Sequence, residues 1–185
     1  MNKSCFLVFS IANIGLACEA ARKWIQENHN ITYPVCNVAN HLYAGAKVLA
    51  GHSEALKFIQ DNKNDFGIRK CKVLPVSGAF HTRLMVSAQL AVAEHLEKVT
   101  VADPRILVHS NVNNDLYRDA KTVKKLLPKQ VCSPVKWESN VINLIKYEKE
   151  EFQPRIIECG PGNSLVPMLK VINGKAYKRA SVILA

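Results

Sequence analysis

The sequence predicts an α/β fold, and three observations carry that prediction. Residues 4–76 run strand, helix, strand, strand, helix, strand, the order of a ferredoxin-like split βαβ unit with α+β character. Residues 77–185 alternate strands and helices, which implies a parallel sheet covered on both faces. Of the 185 residues, 48% are hydrophobic, enough for the core of one ordinary domain.

Each element has its own signature. Residues 6–11 (FLVFSI) are β-branched and aromatic, a first strand. Within residues 13–27, Leu16, Ala20, Trp24 and Ile25 recur at helical spacing. Residues 33–40 and 46–50 read as short strands flanking a turn at Gly45. Residues 53–62 read as a helix with Ala55, Leu56, Phe58 and Ile59 on its apolar side and Ser53 as N-cap. Residues 69–76 close the unit as a strand. Beyond His81, residues 82–99 read as one long helix with Met85, Ala88, Val92, Leu96 and Val99 on a stripe. Residues 105–109 read as a strand leading into Ser110-Asn111, residues 120–131 as a basic helix, and residues 137–149 as another helix. Residues 156–159 read as a strand, and residues 163–171 as a helix opened by Gly160-Pro161-Gly162. These strands are too few for a complete sheet, so the second unit is expected to lack partners.

Charge is more informative than hydropathy. With 25 Lys and Arg against 15 Asp and Glu, the net charge of +10 suits an acidic partner: nucleic acid, an anionic surface, a phosphate-bearing molecule or an acidic carrier protein. A basic surface that binds nothing accounts for it equally well. Cys5, Cys18, Cys36, Cys71, Cys132 and Cys159 lack CxxC or metal-ligand spacing, so they read as buried thiols in a reducing compartment, with no metal site. The apolar run 5–18 is too short to span a bilayer and is broken by Ser10, Asn13 and Gly15, so no membrane segment is expected.

Three motifs bear on chemistry. His81 follows a strand on a loop with Gly78 and Ala79, small residues that let the backbone turn. An imidazole titrates near neutrality and can act as a general base there, although such a loop histidine is often structural. Gly51-His52-Ser53-Glu54-Ala55 imitates a nucleophile elbow, but Ala55 stands where the second glycine belongs. Ser53 therefore reads as a helix start. Arg69, Lys70 and Lys72 form a basic strand edge, suited to an anion or simply solvated. An RNA-binding reading of the first unit fails because residues 46–53 (AKVLAGHS) lack stacking aromatics.

The blocks Pro75 to Thr82 (PVSGAFHT), Gln130, Ser133 to Trp137 (SPVKW) and Glu158 to Gly162 (ECGPG) fall in a specific order. In that order the chain resembles the C-terminal portion of the malonyl-CoA:acyl carrier protein transacylases, closest to their mitochondrial form, from about Phe6 to Val171. The resemblance implies a ferredoxin-like small subdomain at 4–76. It implies the C-terminal part of a FabD-like, α/β-hydrolase-like acyltransferase large subdomain at 77–185. It assigns His81 as the general base, oriented by the backbone carbonyl of Gln130, and matches Asn111 to a recurrent active-site asparagine. Phe80 accompanies malonyl selection, since an aromatic ring crowds an extra methyl, a discrimination of about 1–3 kcal/mol. Arg69 and Lys70 fall near the phosphopantetheine and carrier-protein entrance.

The implied substrates are malonyl-CoA and the phosphopantetheine of acyl carrier protein, in fatty acid biosynthesis, with no bound cofactor. The implied setting is mitochondrial, as a monomer, with the targeting peptide upstream and no nucleic-acid or membrane partner. The family's GQGxQ loop, its GHSxGE serine and the arginine that grips the malonyl carboxylate have no match here. The chain is thus expected to be a fragment without the nucleophile, inactive alone. A non-catalytic relative that binds acyl carrier protein or CoA is the alternative. His81 is expected at the mouth of a cleft between the two units, within hydrogen-bond reach of the backbone near Gln130.

Overall fold

The computed structural model describes residues 3–10, 14–146 and 153–184. The ends expected at Ile11, Asn13 and 147–149 lie outside the described residues.

Strand β1 (Lys3–Ser10), helix α1 (Ile14–His29), strands β2 (Cys36–Tyr43) and β3 (Ala46–His52), helix α2 (Ser53–Asp61) and strand β4 (Ile68–Val73) build a four-stranded sheet of order β2-β3-β1-β4. Every pairing in it is antiparallel. Because side chains alternate across a strand, the sheet sorts its residues to two faces. Phe6, Val8 and Leu49 pack with Ala17, Cys18, Ala21 and Ile25 of α1 and Leu56 and Ile59 of α2 in the main core. The intervening residues Cys5, Ala39, Val48 and Ala50 form a second cluster on the other face, closed by Ala79 with Leu74 and Leu84. The loop that carries His81 is thus the cover of that face.

Two glycines are required by the backbone. Gly45 turns the β2–β3 hairpin at φ +87°, a left-handed conformation costly for a residue with a Cβ. At Gly51 a Cβ would stand 2.1 Å from the Val35 carbonyl oxygen, so the start of β2 can lie against β3 only over glycine. The expected cap at Ser53 is not formed. His52 holds the N-cap position without a side-chain cap, and Ser53 opens α2, its hydroxyl 2.9 Å from the Ser4 hydroxyl. His52 is buried, and its Nδ1 accepts from the Val35 N–H at 3.0 Å. The second strand begins at Cys36 rather than 33 and reaches Tyr43, and the fourth ends at Val73 rather than 76.

Downstream the departures are larger. The expected helix 82–99 is a 3-10 turn (Arg83–Met85) followed by α3 (Val86–Glu97), in which no residue is buried. The expected strand 105–109 is not formed: an isolated bridge joins His109 to Leu116, and Ile106 and Leu107 are 77% and 68% exposed. A strand persists only when a neighbour takes its backbone groups along its length, and here the pairing is confined to its end, where the Val108 carbonyl accepts the Tyr117 N–H at 2.9 Å. The basic helix divides into α4 (Ala120–Leu126) and a 3-10 turn, Pro128–Val131. Pro128 lacks the N–H that would continue α4.

Helix α5 (Trp137–Ile145), β5 (Ile156–Cys159), α6 (Val166–Ile172), the short α7 (Gly174–Tyr177) and β6 (Ala180–Ile183) follow. β5 and β6 pair in parallel; β6 has no counterpart among the expected strands, and α6 starts at Val166 rather than 163. The SPVKW block docks on the open edge of β2, where the Val135 N–H donates to the Ala39 carbonyl at 2.8 Å and the Val135 carbonyl accepts from the His41 N–H at 2.9 Å. Cys5, Cys18 and Cys36 are buried as expected, but Cys71 and Cys132 are half-buried and Cys159 is exposed. Among the described residues no helix is long and apolar enough to cross a membrane.

Candidate active site

His81 stands at φ +63°, a left-handed conformation that histidine tolerates better than most residues but that still costs on the order of 1–3 kcal/mol. Its surroundings impose it. The His81 N–H donates to the Val131 carbonyl at 2.9 Å, and Nδ1 lies 2.8 Å from the Gln130 carbonyl oxygen. The buried Thr82 hydroxyl donates to the Ala79 carbonyl at 2.7 Å and accepts the Leu84 N–H at 3.3 Å, locking the turn from inside. Beneath it, the Cys5 thiol donates to the Gly78 carbonyl at 3.4 Å. Burial raises that thiol's pKa against a smaller opposing hydrogen bond at Phe80, which keeps it a donor.

A carbonyl oxygen only accepts, so the short contact to Gln130 places the proton on Nδ1 and leaves the lone pair on Nε2. The Gln130 side-chain amide is 3.4 Å from Nδ1 and 3.5 Å from the Ser133 carbonyl; the 2.8 Å carbonyl contact decides the tautomer. The 3-10 turn broken off by Pro128 is what presents the carbonyls of residues 130 and 131 to the histidine.

Phe80 is 37% exposed beside His81, a loop residue and not a core one. Its ring edge and Met85 close over Gly78, where a Cβ would meet them at 3.8 and 3.1 Å. Asn111 is held from two sides: its Oδ1 accepts from Asn140 Nδ2 at 2.7 Å, and its carbonyl accepts the Lys136 N–H at 3.3 Å. That leaves the Asn111 amide nitrogen as its remaining donor. Arg69 and Lys70 are exposed on the edge strand β4 and take no part in the hydrogen bonds around His81.

A cavity of about 360 Å³ lies between α5, β5 and α6, lined by Trp137, Val141, Leu144, Ile156, Leu165 and Leu169, and His81 lines neither it nor two more open ones. Ser53 forms no hydrogen bond with His81, its hydroxyl being turned to Ser4.

Two supporting residues escaped sequence reasoning. Asn140, 4% exposed on α5, orients Asn111; the signal was an amide on the apolar side of WESNVINLI. Glu158, also buried, accepts three N–H groups at the start of α6, from Ser164 and Leu165 on Oε1 and from Val166 on Oε2, each at 2.8 Å. Burial alone would raise its pKa, but the three donors together override that and hold it below the ordinary carboxylate value. Nothing local marks it, since its partners follow it by six to eight residues.

No protein-family profile matches the chain. Its fold matches that of the malonyl CoA-acyl carrier protein transacylase of Coxiella burnetii at a TM-score of 0.82 and 24% identity, over 98% of this chain and 53% of that one. It also matches a malonyl-transacylase solved in complex with its type II PKS acyl-carrier protein, at TM-score 0.79 and 23% identity, over 100% and 55% of the two chains. The architecture is therefore of the FabD type, with a ferredoxin-like subdomain beside part of a larger α/β one. In sequence the chain is 42% identical over 173 residues to a probable mitochondrial malonyl-CoA-acyl carrier protein transacylase of Drosophila melanogaster, covering 94% of this chain and 45% of that protein. In sequence the chain thus matches the C-terminal part of malonyl-CoA-acyl carrier protein transacylases. It spans about half the length of these relatives.

Proposed function

We propose that the chain supplies the base-bearing part of a malonyl-CoA:acyl carrier protein transacylase of fatty acid synthesis. The observation that carries the reading is the 2.8 Å contact between His81 Nδ1 and the Gln130 carbonyl. It orients the ring, fixes the tautomer and steadies the imidazolium that forms when Nε2 takes a proton. In this reading Nε2 removes the proton of a serine hydroxyl as the oxygen attacks the malonyl thioester, and passes it to the departing CoA thiolate. In the second half Nε2 takes the proton of the phosphopantetheine thiol, the thiolate attacks the acyl-serine, and the proton returns to the serine oxygen. The serine comes from the stretch of the relatives that these 185 residues do not match.

Phe80 limits the acyl group, Asn111 offers its amide donor to the site, and Arg69 and Lys70 meet the acidic carrier. The division into a small subdomain at 4–76 and a large one at 77–185, the monomeric state and the mitochondrial location belong to the same reading. Support for the carrier comes from the transacylase solved with its acyl-carrier protein, and for the location from the mitochondrial fly relative.

The test joins this chain to the N-terminal part of the Drosophila relative and measures malonyl transfer. His81→Ala is expected to lower the rate about 10²–10⁴-fold, while Ser53→Ala leaves it nearly intact. An unchanged rate in His81→Ala overturns the reading. A joined protein that binds carrier but never forms a malonyl-enzyme points to the non-catalytic alternative.

A further inference from the structure

Arg22, Thr32, Tyr33, Pro34, Asn37 and Arg83 line one open pocket of about 380 Å³. Both of its cations are held in place. Arg22 Nη1 donates to the Cys36 carbonyl at 2.7 Å and to Asn37 Oδ1 at 3.2 Å. Arg83 Nη2 donates to the Pro34 carbonyl at 3.1 Å, and its guanidinium carbon lies 5.9 Å from the Tyr33 ring centroid. Each side chain is anchored through one terminal nitrogen, which leaves the other edge of its fork for a ligand. The four ion pairs among the described residues lie elsewhere, at Lys23–Glu27, Lys57–Asp61, Glu94–Lys98 and Asp115–Arg118. Two guanidinium groups thus share a pocket with no carboxylate to neutralise them.

Unpaired like charges at one site repel, and an anion between them relieves that repulsion. Anchored forks match the oxygens of a phosphoryl group in two-pronged fashion, and a phosphate carries enough charge to answer both cations. The pocket has room for more than a lone carboxylate, and Tyr33, 73% exposed at its rim, offers an aromatic face. Arg83 follows His81 by two residues, with only the buried Thr82 between them, so the pocket flanks the histidine loop.

We propose that Arg22 and Arg83 form a phosphoryl-binding site that takes a phosphate of a CoA thioester or of a phosphopantetheine arm. The proposal rests on the proposed function for the identity of the ligand, and on the arginine pair for its charge. The test is calorimetric titration of the 185-residue chain with adenosine 3′,5′-bisphosphate, 4′-phosphopantetheine and unphosphorylated pantetheine. At least one phosphorylated probe binds and pantetheine does not, and Arg83→Met and Arg22→Lys each weaken that binding about ten-fold or more. The bisphosphate binding alone places the nucleotide end of CoA there; phosphopantetheine binding places the prosthetic arm. The proposal is overturned if pantetheine binds as well as its phosphorylated forms, or if Arg83→Met leaves affinity unchanged. Arg83 is exposed, so its variant decides the matter even if Arg22→Lys disturbs the fold. The readout is binding without acyl transfer. Arginine-dependent binding with a transfer rate indifferent to His81 therefore sinks the proposed function alone, and the reverse result sinks this proposal alone.

Discussion

At the scale of single residues, the difference between His81 and Glu158 lies in how locally each is specified. His81 was legible because its block is distinctive, and so was the partner carbonyl at Gln130; the left-handed backbone that joins them is imposed by a turn fifty residues downstream and leaves no mark near the histidine. Ser53 was legible as a helix start, which it is, yet it is not the N-cap: His52 holds that position, and the Ser53 hydroxyl meets Ser4 on the neighbouring region of the sheet. Glu158 was passed over because its three partners follow it by six to eight residues, and only the fold brings their N–H groups onto one carboxylate. Its depressed pKa makes a testable statement. A carboxyl more acidic when folded than when unfolded stabilises fully above the unfolded pKa, and loses that contribution as pH falls through the folded one. Glu158→Gln is expected to lower the melting temperature at pH 7, with the gap to the parent protein narrowing as pH drops below about 4. A gap that stays constant with pH means the carboxylate charge does not hold the start of α6.

At the scale of elements, the sheet β2-β3-β1-β4 and its two helices were legible because each strand finds its neighbour within the first 76 residues and each helix its own apolar face. The segment 105–109 was misread for the opposite reason: its composition is that of a strand, but strandedness belongs to a pair. Pro128 was a visible break in a helix that periodicity alone had run through. Gly51 has the sharpest element-level consequence. In the sequence it looks like part of a nucleophile motif, whereas in the structure it lets the Val35 backbone lie against β3. Gly51→Ala is expected to cost about 1–3 kcal/mol or more by overpacking, since the contact is with backbone that cannot swing aside. Gly174→Ala, where a new Cβ meets nothing within 4 Å, is the control and should be near neutral. Urea denaturation of both variants checks this, and equal midpoints would mean that β2 moves away from β3 without cost.

At the scale of the whole molecule, apolar side chains are left without cover on α3 and at residues 106–108. Helix α3 has Val86 and Leu90 at 44% and 62% exposure, Ile106 and Leu107 are more open still, and the β5–β6 pair is a parallel sheet of two strands. Parallel sheets are stable when covered on both faces and extended by further strands, and large exposed apolar side chains in number suit an interaction site. The relatives are about twice as long as this chain, so the polypeptide that fits the surface is one bringing strands to the edge at 105–109 and an apolar face to α3. Adding the N-terminal part of the Drosophila relative, joined or in trans, is therefore expected to slow amide exchange at Ile106, Leu107 and Val108 and along α3. It should also reduce binding of a hydrophobic dye, and leave exchange in β1 and β3, already buried, little changed. Unaltered exchange at 105–108 in a joined protein that is folded would mean that this apolar side is not where the two parts meet. Protection that rises with the concentration of this chain alone would assign the surface to a second copy instead.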